Sequence, residues 1–229
     1  MQKDDVITAL ENLGGMATLG QLYKSVNISK WTTKTPFASF RRIVQTNKEF
    51  FKLKSGIWAL KSYEKSLNKE ININEAEFTH AFYQGIIAQI GNIRNFATFI
   101  PAQDKNKLFL KTALKDIVTI EKIPNFSYEN ITQIAKNVDI VWLNHRNLPN
   151  AFFKVEHSTD FKNSLNKFYE LQDFRANFFI VADKARQRQF EDIISKSIYK
   201  EIKYFVKFAD YESIVKQYEI ESIKIEQGI

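Results

Sequence analysis

Apolar residues in the first quarter of the chain recur at three- and four-residue steps, the repeat of a helix with one buried face. Val6, Ile7, Leu10 and Leu13 predict a helix over DDVITALENLG, ended by Gly14-Gly15. Thr18 precedes LGQLYKSV, a shorter helix with Leu19, Leu22, Tyr23 and Val26 inward. After the loop NISKWTTKT, a third helix, PFASFRRIVQTN, starts on Pro36, a residue suited to a first turn. Its stripe is Phe37, Phe40, Ile43 and Val44, with Arg41 and Arg42 mostly outside it. The period then shortens to two: FFKLKSGIWAL predicts paired strands around a tight turn at Lys54-Ser55-Gly56. Residues 62–77, SYEKSLNKEININEAE, are polar without clear periodicity and are expected to form a linker.

A long helix opens the next region, residues 78–229. EFTHAFYQGIIAQIGN carries Phe78, Phe82, Ile86, Ile87 and Ile90 as its stripe. His80 and Gln84 fall one turn apart on one side of it, a polar edge able to face a cleft. NFATFIPA predicts a strand, while residues 102–135 hold only helical patches, LFLKTALKDI and YENITQIAK. From Val138 the pattern sharpens into strand VDIVWLN, a turn, strand AFFKVEHS and helix FKNSLNKFYELQDF. The buried strand NFFIVAD, helix KARQRQFEDIISKSIYKEI, strand KYFVKFA and a last helix DYESIVKQYEIESI follow. A mixed sheet with helices on its faces buries these elements most economically.

Composition narrows the function classes. At 229 residues, with 44% hydrophobic and 26% charged residues, the chain suits one large or two small globular domains. The absence of cysteine excludes a disulfide framework, a thiolate zinc site and a cysteine nucleophile, and three histidines leave little for any zinc site. No apolar run approaches the about 18 residues of a membrane span, and MQKDDVITALENLGG has early acids unlike a secretion signal. A cytoplasmic protein without membrane attachment is therefore expected. No Gly-rich phosphate loop is present, so no nucleotide cofactor is expected. The net charge of +7 is concentrated: residues 1–61 hold eight Lys and two Arg against two Asp and two Glu. A small basic domain joined to a balanced one suits a nucleic-acid grip, although a solvated lysine-rich surface has the same composition.

Three helices followed by a two-stranded wing is the order of a winged helix-turn-helix. Thr35-Pro36, the pair Arg41-Arg42 and the wing Phe51…Gly56-Ile57-Trp58 resemble the HARE-type winged helix found fused to restriction endonucleases. The resemblance implies double-stranded DNA as partner, with the third helix entering the major groove. Trp31, Thr33, Lys34 and Thr35 would then lie near DNA, with Arg41 and Arg42 on the helix, and Lys52 and Lys54 close to phosphates. Winged helices also mediate protein contacts, and that alternative stays open.

In the second region Asp139 begins one strand, and Lys154-Val155-Glu156 lies on its neighbour across a turn. Alternation puts Phe152, Lys154 and Glu156 on one face, and burying either charge alone costs several kcal/mol, so a polar cleft, an ion pair or a metal is expected there. Val138 to Trp142, Phe153-Lys154-Val155-Glu156-His157-Ser158-Thr159, the helix through Leu165 and Glu170, and Ile180-Val181-Ala182 resemble PD-(D/E)xK nucleases of the Type II restriction endonuclease kind. His80 and Gln84 fit that family's opening helix and are counted as candidate catalytic residues. The resemblance implies Mg2+, or Mn2+, held by Asp139 and Glu156, with Lys154 assisting the water or the phosphate. It departs from the general pattern in placing the lysine first and the acid second. An active site with exchanged positions, a nuclease fold that binds without cutting, and a plain Lys154–Glu156 salt bridge all remain readings of this stretch.

His157 should point away from Glu156, and His145 should sit exposed in the turn. Arg186 and Arg188, at a helix start, can contact phosphates or be solvated. The sequence thus predicts a two-domain α/β (α+β) chain: a winged helix over 1–61, the linker 62–77, and a restriction-endonuclease-like mixed sheet flanked by helices over 78–229. The expected function is Mg2+-dependent cleavage of double-stranded DNA by a homodimer, since one site per subunit needs two copies to cut two strands. A catalytically inactive DNA-binding protein or transcriptional regulator is the alternative.

Overall fold

A computed structural model describes residues 2–158 and 160–227, so that Thr159 of the FKVEHST stretch lies outside the described residues. The chain forms two compact units, Met1–Glu75 with Val215–Ile229, and Ala76–Ile214.

The first unit begins with α1 (Gln2–Asn12), β1 (Met16–Ala17), α2 (Leu19–Ser25) and α3 (Pro36–Thr46). Strands β2 (Phe50–Lys54) and β3 (Ile57–Leu60) follow. The expected stripes face one cluster, in which Val6, Leu10, Leu22, Tyr23, Phe40 and Val44 are buried. Thr18 caps α2: its Oγ1 accepts from the Gln21 N–H at 3.1 Å, and the Gln21 carbonyl oxygen Oε1 accepts from the Thr18 N–H at 2.9 Å. Such a reciprocal cap contributes about 1 kcal/mol. Two-residue β1 is too short to show as alternation; it pairs antiparallel with β3, giving the order β1-β3-β2. Gly56 turns the hairpin at φ 80°, a backbone that side chains resist.

The expected linker is instead mostly helix α4 (Glu64–Ile73). Its buried residues Leu67 and Ile71 are a single turn apart, a stripe too short to register as periodicity in a polar stretch.

In the second unit, α5 (Glu75–Ile93) leads to β4 (Ala97–Phe99), then the small hairpin β5 (Leu108–Phe109) and β6 (Thr112–Ala113). LFLKTALKDI was expected to be helical. Phe109 instead stacks on Phe82 at 5.6 Å and lies against Gly85, where an added Cβ would meet its ring at 2.4 Å, so packing on α5 overrides local propensity. The remaining elements are α6 (Glu129–Ala135), β7 (Ile140–Leu143), β8 (Pro149–Glu156), α7 (Phe161–Glu170) and β9 (Asn177–Ala182). Helix α8 (Gln187–Ile194), shorter than expected, and β10 (Val206–Asp210) complete the unit. The strands order as β10-β9-β8-β7-β4, antiparallel from β4 to β8 and parallel from β8 to β10. This is a mixed α/β sheet. One face is buried with α7 and α8 around Phe152, Phe161, Leu165, Phe168 and Ile180.

The last helix, α9 (Tyr211–Glu226), crosses the division between units. From Val215 onward it belongs to the first unit, where Tyr218 and Ser222 lie against Gly20 so tightly that a Cβ there would meet them at 2.5–2.8 Å. Assignment of everything after residue 78 to one domain is corrected accordingly; position along the chain does not determine which core a helix joins. Among the described residues no helix is long and apolar enough to cross a membrane.

Candidate functional site

The polar residues of the second unit gather at the carboxyl end of β8. Pairing of Ile140 with Phe153, continued by one residue, sets Asp139 opposite Lys154. Asp139 is buried at 5% exposure. Its Oδ1 lies 2.5 Å from Lys154 Nζ, and its Oδ2 accepts the Val155 N–H at 2.8 Å and stands 3.8 Å from His80 Nε2. Helix α5 supplies His80 and Gln84 on its polar edge. Gln84 is fully buried and donates from Nε2 to Asp104 Oδ2 at 2.8 Å and to the Asp139 carbonyl at 3.2 Å. Asp104, buried in a 3-10 turn after β4, places Oδ1 2.6 Å from Lys107 Nζ. Asp104 and Asp139 thus each have an ammonium partner, without which their desolvation would cost several kcal/mol.

Burial chiefly holds the His80 imidazolium below its ordinary pKa, against the pull of Asp139 and Asp104. A neutral imidazole keeps a lone pair for a metal. Ligand atoms of His80, Asp104 and Asp139 lie within 4.8 Å of one another. Gln84 Oε1 is buried with no hydrogen-bond partner among the described residues. Carboxylate and amide oxygens with one imidazole are a donor set that suits a small divalent cation.

Glu156, also 5% exposed, accepts from the Ser164 hydroxyl, and its carbonyl accepts from Arg186 Nη1 at 3.0 Å. Burial raises the pKa of its carboxyl, with Asp139 acting in the same direction and Ser164 and Lys154 opposing. It lines an open cavity of about 290 Å³ together with His80, Lys154, Ser158, Asp160 and Ser164. The structure therefore brings near one another the five residues singled out as catalytic: Asp139 just before β7, Lys154 and Glu156 on β8, His80 and Gln84 on α5. The ion pair of Lys154 is with Asp139, and β8 is an interior strand, so the plain surface bridge between Lys154 and Glu156 does not describe it. Asp104 was missed, because residues 102–135 have no periodicity from which to place it; an acid just past the strand that follows α5 was the available signal. His145 is exposed in the turn before β8, whereas His157, also exposed, lines the same cavity as Glu156 and His80.

The DNA candidates separate into free and committed side chains. Trp31 belongs to the core, stacked on Phe40 at 4.8 Å with its indole N–H donating to Asp5 at 3.0 Å, which corrects its expected place beside DNA. The size of the indole and a nearby acceptor favour burial. Thr33 is half-buried beside Ser39, whereas Lys34, Thr35, Arg42 and Lys52 are exposed. Arg41 is ion-paired with Glu219, and Lys54 with Glu75. Arg186 sits 4.2 Å over the Phe161 ring as well as on the Glu156 carbonyl, so it braces that strand end; Arg188 is exposed.

Residues 61–229 match the family described as the Type II restriction enzyme NmeDI C-terminal domain. Over 139 residues the chain is 27% identical to the Type II restriction enzyme NmeDI of Neisseria meningitidis serogroup C, covering 56% of this chain and 39% of that protein. The chain thus matches about two-fifths of the length of that relative. No solved structure matches it significantly.

Proposed function

The chain belongs to the Type II restriction enzyme NmeDI C-terminal domain family, and from that premise we propose that it is a metal-dependent endonuclease cutting double-stranded DNA at a specific site. The observation that carries this reading is an open cavity lined by half-buried Lys154 and buried Glu156, with buried Asp139 ion-paired to Lys154. Hydrolysis of a phosphodiester needs a hard cation to offset the charge developing on phosphate and to acidify a water, and Mg2+ or Mn2+ would supply that chemistry here. Asp139 is its central ligand in this reading, and the strand spacing pairs it with Glu156. Lys154 offers a positive charge to the scissile phosphate, while Ser164 and Arg186 hold Glu156 in place. The β7–β8 pair would then be a PD-(D/E)xK core with the lysine and second acid exchanged.

The first unit supplies the grip in this proposal: a winged helix of the HARE type, with Lys34 and Arg42 exposed towards phosphates. Because each phosphate contact contributes about 0.9 to the slope of log affinity against log salt, Lys34→Ala and Arg42→Ala should each lower that slope by about 1. Arg41→Ala should lower it less, since Glu219 already holds that guanidinium. Fluorescence anisotropy titrations of labelled duplex across a salt series measure this; unchanged slopes for both exposed residues would remove the first unit as the grip. A homodimer follows from the same proposal, one subunit for each strand.

The ion pair between Lys154 and Asp139 favours a second reading, in which the lysine takes the place of the cation and the protein binds DNA without cutting. Incubation with plasmid and with phage genomic DNA in Mg2+, with an EDTA control, separates the two. Discrete EDTA-sensitive fragments support the nuclease; intact DNA with a salt-sensitive mobility shift supports the binder.

A further inference from the structure

The Asp139–Glu156 pairing is what strand alternation suggests, but the fold assembles a different set of donors around Asp139. Among the described residues, the group of acids and histidines close enough to share one ion is His80, Asp104 and Asp139. They come from α5, from the turn after β4 and from the residue just before β7, segments that no local motif links. Glu156 is outside that group, its carboxylate engaged by Ser164.

Spacing and burial both bear on an ion here. Octahedral Mg2+ or Mn2+ bonds of about 2.1 Å put adjacent ligands about 3.0 Å and opposite ligands about 4.2 Å apart, so a group spanning at most 4.8 Å needs to close by less than about 2 Å. Asp104 and Asp139 are 4% and 5% exposed, which separates them from the solvated acids that cluster on any surface. Gln84 provides an independent sign. Its Nε2 is fixed by two acceptors, Asp104 Oδ2 and the Asp139 carbonyl, so the amide is held at the cluster in one orientation. Its Oε1, on a residue with no exposure, has no donor among the described residues. A buried carbonyl oxygen left unpaired carries an uncompensated desolvation penalty, and a cation or an ion-bound water would meet that need. The charge is balanced in the meantime by Lys107 on Asp104 and Lys154 on Asp139.

We propose that His80, Asp104 and Asp139, with the Gln84 carbonyl beside them, form a divalent-cation site that does not require Glu156, and that Lys107 competes with the ion for Asp104. This deepens the nuclease reading, since the ion would serve the same cavity, but its test does not depend on cleavage. Glu156 is left on the cavity wall, where substrate and water enter.

The test is Mn2+ binding to the full chain without DNA, followed by electron paramagnetic resonance of the free ion. Loss of an outer partner of a metal ligand already weakens binding 10–100-fold, so Asp104→Asn and His80→Ala should each weaken it by at least about 10-fold. Glu156→Gln should bind within about threefold of the parent. Lys107→Met should tighten binding several-fold, a gain that neither misfolding nor a purely structural role for Asp104 would produce. Melting curves confirm that each variant is folded. Parent-like binding by Asp104→Asn, loss of binding in Glu156→Gln, no tightening by Lys107→Met, or no Mn2+ binding by the parent would each overturn the proposal. Mn2+ binding of the expected pattern in a protein that leaves DNA intact would overturn the nuclease reading alone.

Discussion

Asp139→Asn is expected to lower metal-dependent DNA cleavage by at least about 100-fold, with DNA affinity unchanged or slightly tighter. Removing the outer partner of a metal ligand costs up to about 100-fold, and losing the central carboxylate should cost no less. Affinity should survive, because the exchange removes a negative charge from the path of the phosphodiester backbone. The fold should survive as well. An asparagine oxygen can still accept the Val155 N–H. Lys154 would lose its anion, but it lines the open cavity and can reach water, which keeps the penalty below the about 3–5 kcal/mol of a fully enclosed pair. Single-turnover cleavage, duplex titration and a melting curve on the same preparation decide the matter. Cleavage within tenfold of the parent would remove Asp139 from the centre of the site.

The largest loss of stability is expected from Phe168→Ala. Phe168 has no exposure, lies on the inner side of α7 and meets the Phe178 ring of β9 at 5.2 Å. Phe152, Phe161 and Leu165 close around it, so neighbours already at interior density can collapse little into the space left. Such truncations cost about 3–5 kcal/mol, against about 5–15 kcal/mol for a whole domain. A fall in melting temperature of roughly 6–20 °C follows for a chain of this size. Calorimetry should show it; a fall of less than about 2 °C would mean that α7 is not packed as described.

What the chain's pattern revealed depended on how local the cause was. Helices α1, α3 and α7 repeat their apolar residues over two or more turns, and the strands of the five-stranded sheet alternate or run apolar, so these elements were legible. That Asp139 and Lys154 face each other was legible too, because a strand's two-residue period and a short turn fix which side chains meet. Helix α4 was not, having one turn of apolar contacts. The β5–β6 hairpin was not, because the anchor of Phe109 is Gly85 on a separate helix. Asp104 was invisible for the same reason: its partners Gln84 and Asp139 lie in other elements, and only the folded chain joins them. Trp31 and Arg186 looked like ligand contacts by residue type, and each turned out to be engaged within its own unit.

Helix α9 has a practical bearing. The family match starts at residue 61 and includes this helix, yet most of the helix shares a core with residues that precede the match. A recombinant fragment cut at residue 61 would keep Tyr218 and Ser222 while discarding Gly20, leaving an unsatisfied sticky surface. Inherited segment and self-sufficient folding piece are therefore different objects in this molecule, and boundaries for dissecting it belong at the edges of the packed units.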